Sequence, residues 1–235
     1  MPLALAPSLS RLVPPLSRLV PPLSWLAPPL CWGCSGPSRG GDPLCGRCRG
    51  SLQRLAADPV SLSGVAVWAP VAYAGPARAL VRALKFRGAR GVADAMAAQI
   101  AANAPPGLLD ARTAPPTLLP RAALVPVPLH PRRLRSRGYN QAAEIAAALA
   151  RRTGLEVADC LARSGATAPQ VGRDRAERRA GPAGQIAPIG GVPARVLLVD
   201  DVVTTGATLA ACRGALAGAG SEKVHAVVFA RTIGR

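Results

Sequence analysis

The chain has 235 residues, a formal net charge of +17, 49% apolar residues and 3% aromatic ones. That length suits one medium domain with a smaller one, and the apolar share supports a core built mostly from Ala, Leu and Val. The basic excess permits binding to a polyanion, but 27 of the 29 basic residues are arginine, a pattern that general compositional bias also produces. Scarce aromatics argue against base stacking as a main mode of nucleic-acid binding.

Residues 9–29 repeat a seven-residue unit, LSRLVPP, LSRLVPP, LSWLAPP. Prolines at 14, 15, 21, 22, 28 and 29 forbid a continuous helix, so neither a signal-peptide core nor a membrane span is expected, and residues 1–30 are expected to be a disordered leader. With no other long apolar stretch, the chain reads as cytoplasmic. Next come CWGC and, ten residues later, CGRC. Cys31, Cys34, Cys45 and Cys48 have the spacing of a four-thiolate zinc site in which each pair forms a knuckle, and residues 31–55 are expected to be a small zinc-ribbon-like segment. The absence of a secretory signal counts against two disulfides. Cys160 and Cys212 stand singly in apolar surroundings and are expected to pack rather than react.

From residue 60 onward a larger unit is expected to run to 235. Residues 64–73 alternate as a strand with Trp68 and Tyr73 half-buried, 77–86 carry helical periodicity, and 92–102 form a second helix. Lys85 is expected to be a solvated helix end. Five prolines in 104–120 mark an insertion. The block LVPVPLHPRRLRSRGYNQ, from Leu124, starts as a strand near 123–128 and then gathers Arg132, Arg133, Arg135 and Arg137 beside His130; a helix is expected to start at Gly138. Arginines just beyond a strand's carboxyl end are placed to clamp phosphates, and His130 is the better placed of the two histidines for ligand contact. His225 is read as a strand residue. After a strand at 156–161, the polar block from Ala166 to Gln185, with Gln170, Arg175 and Arg178, has the character of a lid over substrate.

The densest signal is RVLLVDDVVTTGATL, from Arg195. An apolar strand at 195–199 delivers Asp200 and Asp201, a polar turn follows, and a helix opens at Ala207. Hydroxyls and backbone N–H groups from Thr204, Thr205, Gly206 and Thr208 suit an anionic guest such as phosphate. Carboxylates beside a phosphate cradle make sense if they face sugar hydroxyls or a magnesium ion. A Walker B reading fails, because neither Lys85 nor Lys223 follows a glycine and no G-K-[ST] exists. A receiver domain would place its paired acids much earlier in its own length.

VLLVDDVVTTGAT resembles the phosphoribosyl-pyrophosphate motif of type I phosphoribosyltransferases. The resemblance implies that Asp200 and Asp201 meet the ribose 2′ and 3′ hydroxyls, that Val203, Thr204, Thr205, Gly206, Ala207 and Thr208 hold the 5′-phosphate, and that the loop carrying His130 and the arginines receives pyrophosphate. Together with the two CxxC knuckles, KFRG, RGYNQ and the lid arginines, the pattern over about residues 31–231 resembles the ComF family, phosphoribosyltransferase-like proteins associated with DNA uptake in competence. Family members usually follow the lid arginines with Asn and an aromatic; Ala180, Gly181 and Gln185 stand in that region here. The fold implied is α/β, a type I phosphoribosyltransferase-like, mostly parallel sheet with helices on both faces, with strands near 123–128, 156–161, 195–199 and 223–229. The cofactors implied are structural zinc and substrate-bound magnesium. The resemblance leaves two readings open: a transferase acting on phosphoribosyl pyrophosphate or a related phosphorylated ribose, and a non-catalytic module for single-stranded DNA or a competence helicase.

Overall fold

A computed structural model describes residues 29–109, 122–164 and 186–234. The repeat leader up to residue 28, the insertion from 110 and the block 165–185, with Gln170, Arg175 and Arg178, lie outside the described residues.

The parallel sheet forms from the most apolar runs in the chain. Its strands are β1 (Val60–Leu62), β2 (Val65–Trp68), β3 (Val71–Ala72), β4 (Ala123–Pro126), β7 (Arg195–Val203) and β8 (Lys223–Arg231), in the order β1-β2-β8-β7-β4, with β3 also pairing β8. All pairings are parallel except the β1–β2 hairpin. Arg195 lies opposite Lys223, and Ala123 opposite Val196, which makes β7 central. A strand buried on both faces needs a nearly unbroken apolar run, and Val196 to Val199 meets that need with every residue buried. A separate antiparallel pair joins β5 (Leu161–Arg163) to β6 (Ile186–Pro188).

Two helical layers cover the sheet. Leu197, Val199, Val227 and Phe229 face α2 (Gly75–Phe86), α3 (Val92–Asn103) and α5 (Gln141–Thr153); Val196, Leu198, Ala226 and Val228 face α6 (Ala207–Gly218). The expected α/β class with helices on both faces is what the structure has. The knuckle segment, with its helix α1 (Gly46–Gly50), brings Cys31, Leu44, Cys48 and Leu52 into the same buried cluster as α2 and α3.

Several local expectations change. The strand expected at 156–161 is a single parallel bridge from Val157 to Leu124, and the chain then peels off to pair with β6. Gly138 does not start a helix. It ends one: α4 (Pro131–Arg137) stops at Gly138, whose φ of 80° is the left-handed conformation glycine adopts freely, and Asn140 then caps α5. The strand expected to end at Val199 continues to Val203, because β8 offers partners as far as Arg231. Trp68 is fully buried, and half-buried Tyr73 lies just beyond β3.

Candidate active-site cleft

The carboxyl ends of β4 and β7 bound a cleft of about 710 Å³ lined by Asp200, Asp201, Arg133, Arg137, Arg163 and Lys85, among others. This is where an open α/β sheet binds its ligands. The pairing of β7 with β8 keeps its register across the acids, with Asp200 opposite Val228 and Val202 opposite Ala230. Leu197 and Val199 belong to the cluster under α2, α3 and α5, and Val196 and Leu198 to that under α6; beyond the acids Val202 packs on the first cluster and Val203 on the second. Both carboxylates line one cleft at the strand's open end.

Each acid has its own surroundings. Asp201 is 3% exposed and its Oδ2 lies 2.9 Å from Lys85 Nζ. Lys85 is therefore no solvated helix end. It closes α2 with its ammonium in the cleft, and the signal that could have found it is that it is the lysine on a helix ending where the sheet's ligand side begins. Half-buried Asp200 accepts the Asp201 N–H through its own Oδ1 at 2.8 Å. Burial, and then the neighbouring Asp201 carboxylate, push Asp200 well above the usual carboxylate range against the opposing pull of that N–H and of Lys85. Burial also lowers Arg137, which Asp201 draws back up, and burial and then Arg133 lower Arg163, which Cys212 and Asp200 oppose.

The arginine block divides. On α4 no residue is buried; Arg132, Arg133 and Arg135 are exposed and Arg137 half-buried. Arg133 and Arg137 line the cleft, whereas Arg132 and Arg135 are not among its lining residues. Arg137 stacks over Phe86, 5.5 Å from its ring centroid. His130 is the N-cap of α4, its Nδ1 accepting the Arg132 N–H at 3.2 Å, and it does not line the cleft. The remainder of RGYNQ is scaffold as well as wall. The Tyr139 hydroxyl donates to the Leu84 carbonyl, and Asn140 donates to the Val127 carbonyl at 3.0 Å while accepting the Ala142 N–H at 3.1 Å. Tyr139, Asn140, Gln141 and Arg163 line the cleft, and the sequence pattern assigns none of them a ligand role.

Of the threonine loop, Thr208 reaches the cleft, Thr204 and Thr205 are exposed, and Gly206 is the N-cap of α6. Gly206 has a φ of 83°, and a Cβ there would lie 2.9 Å from Leu62 Cβ and 3.1 Å from the Leu62 carbonyl oxygen. Ser63 of the same hairpin donates to the Thr205 carbonyl at 2.9 Å. The loop is thus braced from outside by the β1–β2 turn. His225 lies within β8, as expected.

Beyond Arg87, which caps α2 and lies over Trp32, the Sγ atoms of Cys31, Cys34, Cys45 and Cys48 all lie within 4.8 Å of one another. Cys34 and Cys45 are 3.8 Å apart, close to the roughly 3.8 Å edge of a tetrahedron with Zn–S bonds of about 2.3 Å and too far for a disulfide. The Gly33 and Cys45 N–H groups each donate to Cys31 Sγ at 3.3 Å. Although burial works to raise the Cys31 thiol, backbone donors led by Cys45 bring it down to about 6, whereas burial and the neighbouring sulfurs push Cys48 up to about 12, a crowding that a bound cation would relieve. The donor set fits zinc.

The comparison that bears on this cleft covers α5 to the end of β8. Residues 141–234 match the phosphoribosyl transferase domain. The match contains Asp200, Asp201 and the threonine loop. No curated protein matches the chain. Among solved structures, the asparagine mutant from an analysis of an invariant aspartic acid in HPRTs aligns with a TM-score of 0.33 and 17% identity, over 60% of this chain and 65% of that one. A mutant hypoxanthine phosphoribosyltransferase from Trypanosoma cruzi, in a complex with ternary substrates, gives 0.32 and 17%, over 60% of this chain and 66% of that one. The chain thus spans slightly less than two thirds of either. Among the described residues, no helix is long and apolar enough to cross a membrane.

Proposed function

We propose that this protein binds phosphoribosyl pyrophosphate with magnesium in the cleft, in the manner of the ComF-like phosphoribosyltransferases, and transfers the ribose phosphate group to an acceptor. The observation that carries the reading is the acid pair on the cleft wall, with Lys85, Arg133, Arg137 and Arg163 around it, inside the phosphoribosyl transferase match. Asp200 and Asp201 would take the ribose diol. Asp201, paired with Lys85, and Asp200 can each accept from a hydroxyl, so the two acids offer adjacent hydrogen bonds to the diol. Thr204 to Thr208 and the first N–H groups of α6 would hold the 5′-phosphate.

Transfer leaves positive charge at the anomeric carbon and negative charge on departing pyrophosphate. Carboxylates beneath the ring favour the first, and Arg133 and Arg137 at the rim favour the second. Carboxylate oxygens suit a hard cation, and magnesium carried on the pyrophosphate would neutralise its developing charge. Residues 31–55 serve as a zinc-bound module and 60–235 as the transferase unit, working in the cytoplasm, where thiolate ligands stay reduced. Calorimetric titration of the zinc-loaded chain with magnesium and phosphoribosyl pyrophosphate tests the reading. Each charge-assisted hydrogen bond is worth about 1.5–3 kcal/mol, so Asp200→Asn with Asp201→Asn is expected to weaken binding by roughly 10² or more. Unchanged binding in that variant would remove the acids from the site.

A second reading has its own observation. Arg132, Arg133 and Arg135 cover an α4 that buries nothing, beside a Phe86 that is 73% exposed, and this surface suits single-stranded DNA or an acidic face of a competence partner such as a helicase. Affinity for DNA that does not fall with salt would contradict it.

A further inference from the structure

Gln141 is 4% exposed, lines the cleft, and has its Oε1 buried with no hydrogen-bond partner among the described residues. Its neighbours in RGYNQ have structural duties: Gly138 closes α4, Tyr139 ties α5 to the end of α2, and Asn140 caps α5 and holds the Val127 carbonyl. The Gln141 oxygen has no such duty. A buried amide oxygen without a donor is a standing cost to the fold, and a donor arriving with a ligand removes it. In the same cleft Arg137 Nη1 is likewise buried with no hydrogen-bond partner among the described residues. One wall therefore lacks an O–H or N–H donor and another lacks an anionic oxygen. A sugar phosphate supplies both, with its hydroxyls and its phosphate oxygens.

We propose that Gln141 is a specificity-determining residue of the cleft, its Oε1 accepting a hydroxyl of a bound pentose phosphate, with Arg137 meeting the oxygens of the pyrophosphate that phosphoribosyl pyrophosphate carries beside it. This rests on the phosphoribosyl reading of the same cleft. It also explains why a helix whose first turn packs against a sheet has a glutamine at a buried position where leucine would be the apolar choice. An O–H donor could also come from water held by magnesium pyrophosphate, and the two sources separate by titration.

The test compares wild type, Gln141→Leu and the equally long Gln141→Met by calorimetry with ribose 5-phosphate, with magnesium pyrophosphate and with phosphoribosyl pyrophosphate, and by thermal melting without ligand. The loss of one hydrogen bond is expected to weaken ribose 5-phosphate about tenfold, to leave magnesium pyrophosphate within about twofold, and to leave the ligand-free melting point equal or higher. Unchanged sugar-phosphate affinity overturns the assignment, and so does a loss confined to magnesium pyrophosphate. A lower melting point in both variants with equal loss for every ligand would make Gln141 a structural residue and also overturn it. A folded wild type that binds neither sugar phosphate defeats the phosphoribosyl reading itself, whereas variants that bind as wild type defeat only this inference.

Discussion

The thiolate knuckles and the acid cleft, at either end of the Trp32–Arg87–Lys85 connection, each crowd groups that repel one another, and they resolve the crowding differently. In the knuckles four sulfurs lie within 4.8 Å of one another, with two N–H donors aimed at Cys31, and the donor set fits a single zinc ion. In the cleft the charges only partly cancel. Lys85 answers Asp201, but Asp200 is held above its ordinary pKa and the Arg137 and Gln141 atoms lie buried without hydrogen-bond partners among the described residues. A closed donor set marks a structural site. An unbalanced one marks a place built around something absent from the chain.

Removing the metal makes the largest expected difference. Structural zinc in finger peptides contributes an apparent ~10–16 kcal/mol, comparable with or above a typical total stability of about 5–15 kcal/mol. Because Cys31, Leu44 and Cys48 share the buried cluster of α2 and α3, chelation or Cys48→Ser is expected to abolish hydrogen-exchange protection over residues 29–52 and to lower the melting temperature of the whole chain. Native mass spectrometry should show one zinc per chain before chelation. A chelated chain with unchanged protection would mean that the knuckles are held by packing alone.

The cleft's threonine loop comes next. Gly206→Ala places a Cβ against Leu62 in a left-handed conformation. The backbone term is about 1–2 kcal/mol and the overpacking term about 1–3 kcal/mol, so a loss of roughly 2–5 kcal/mol is expected in urea unfolding. Since Ser63 holds the Thr205 carbonyl, displacement of the hairpin should also weaken phosphate binding. A cost below about 0.5 kcal/mol would show that the loop is not braced as the geometry requires.

The contrast between the two regions explains what could be read in advance. CxxC spacing is local, and the thiolate site is legible from four letters. The acid pair and threonine loop are contiguous as well, so both could be placed at a strand's end. What escaped depends on tertiary contact. Lys85 meets Asp201 across 116 positions of sequence, 201 less 85, and no local pattern announces that pairing. Gly138 looks like a start because polar residues follow it, but its left-handed conformation closes α4. The 156–161 segment has strand-like residues, yet it makes one bridge to β4 and its continuation finds a better partner in β6. The extension of β7 through the acids was hidden for a similar reason, since it depends on how far β8 runs.

Asp200→Asn sharpens the claim that the cleft is unbalanced, with a sign that can be worked out. Burial and Asp201 raise the folded-state pKa above the unfolded value of about 3.9. Below that unfolded value the acid is protonated in both states. As pH rises past it the unfolded chain releases a proton that the fold retains, so stability falls until pH passes the folded value. Asparagine has no proton to release. The variant's melting temperature should therefore gain on wild type from about pH 4 upward and level off above the folded pKa, with ligand absent. A gap that shrinks with rising pH would place the charged form of Asp200 in a favourable setting and contradict the cleft's reading as short of partners.

The smallest expected effect asks whether the two regions act independently. The last three residues of α2 and its cap touch both: Leu84 receives Tyr139, Lys85 meets Asp201, Phe86 lies under Arg137, and Arg87 lies over Trp32, between Cys31 and Cys34, 5.5 Å from the ring centroid. Arg87 is exposed and Trp32 half-buried, so their cation–π contact is worth about 0.5–1 kcal/mol. Arg87→Ala removes that contact and no hydrogen bond to the cleft. If α2 is a rigid spacer, the variant should lose about that much stability, retain its zinc and bind phosphoribosyl pyrophosphate within about twofold of wild type, because sites without shared partners contribute additively. A tenfold change in ligand affinity would instead mean that Lys85 moves with Arg87, and the metal site and the cleft would then be one coupled unit joined by the end of a single helix.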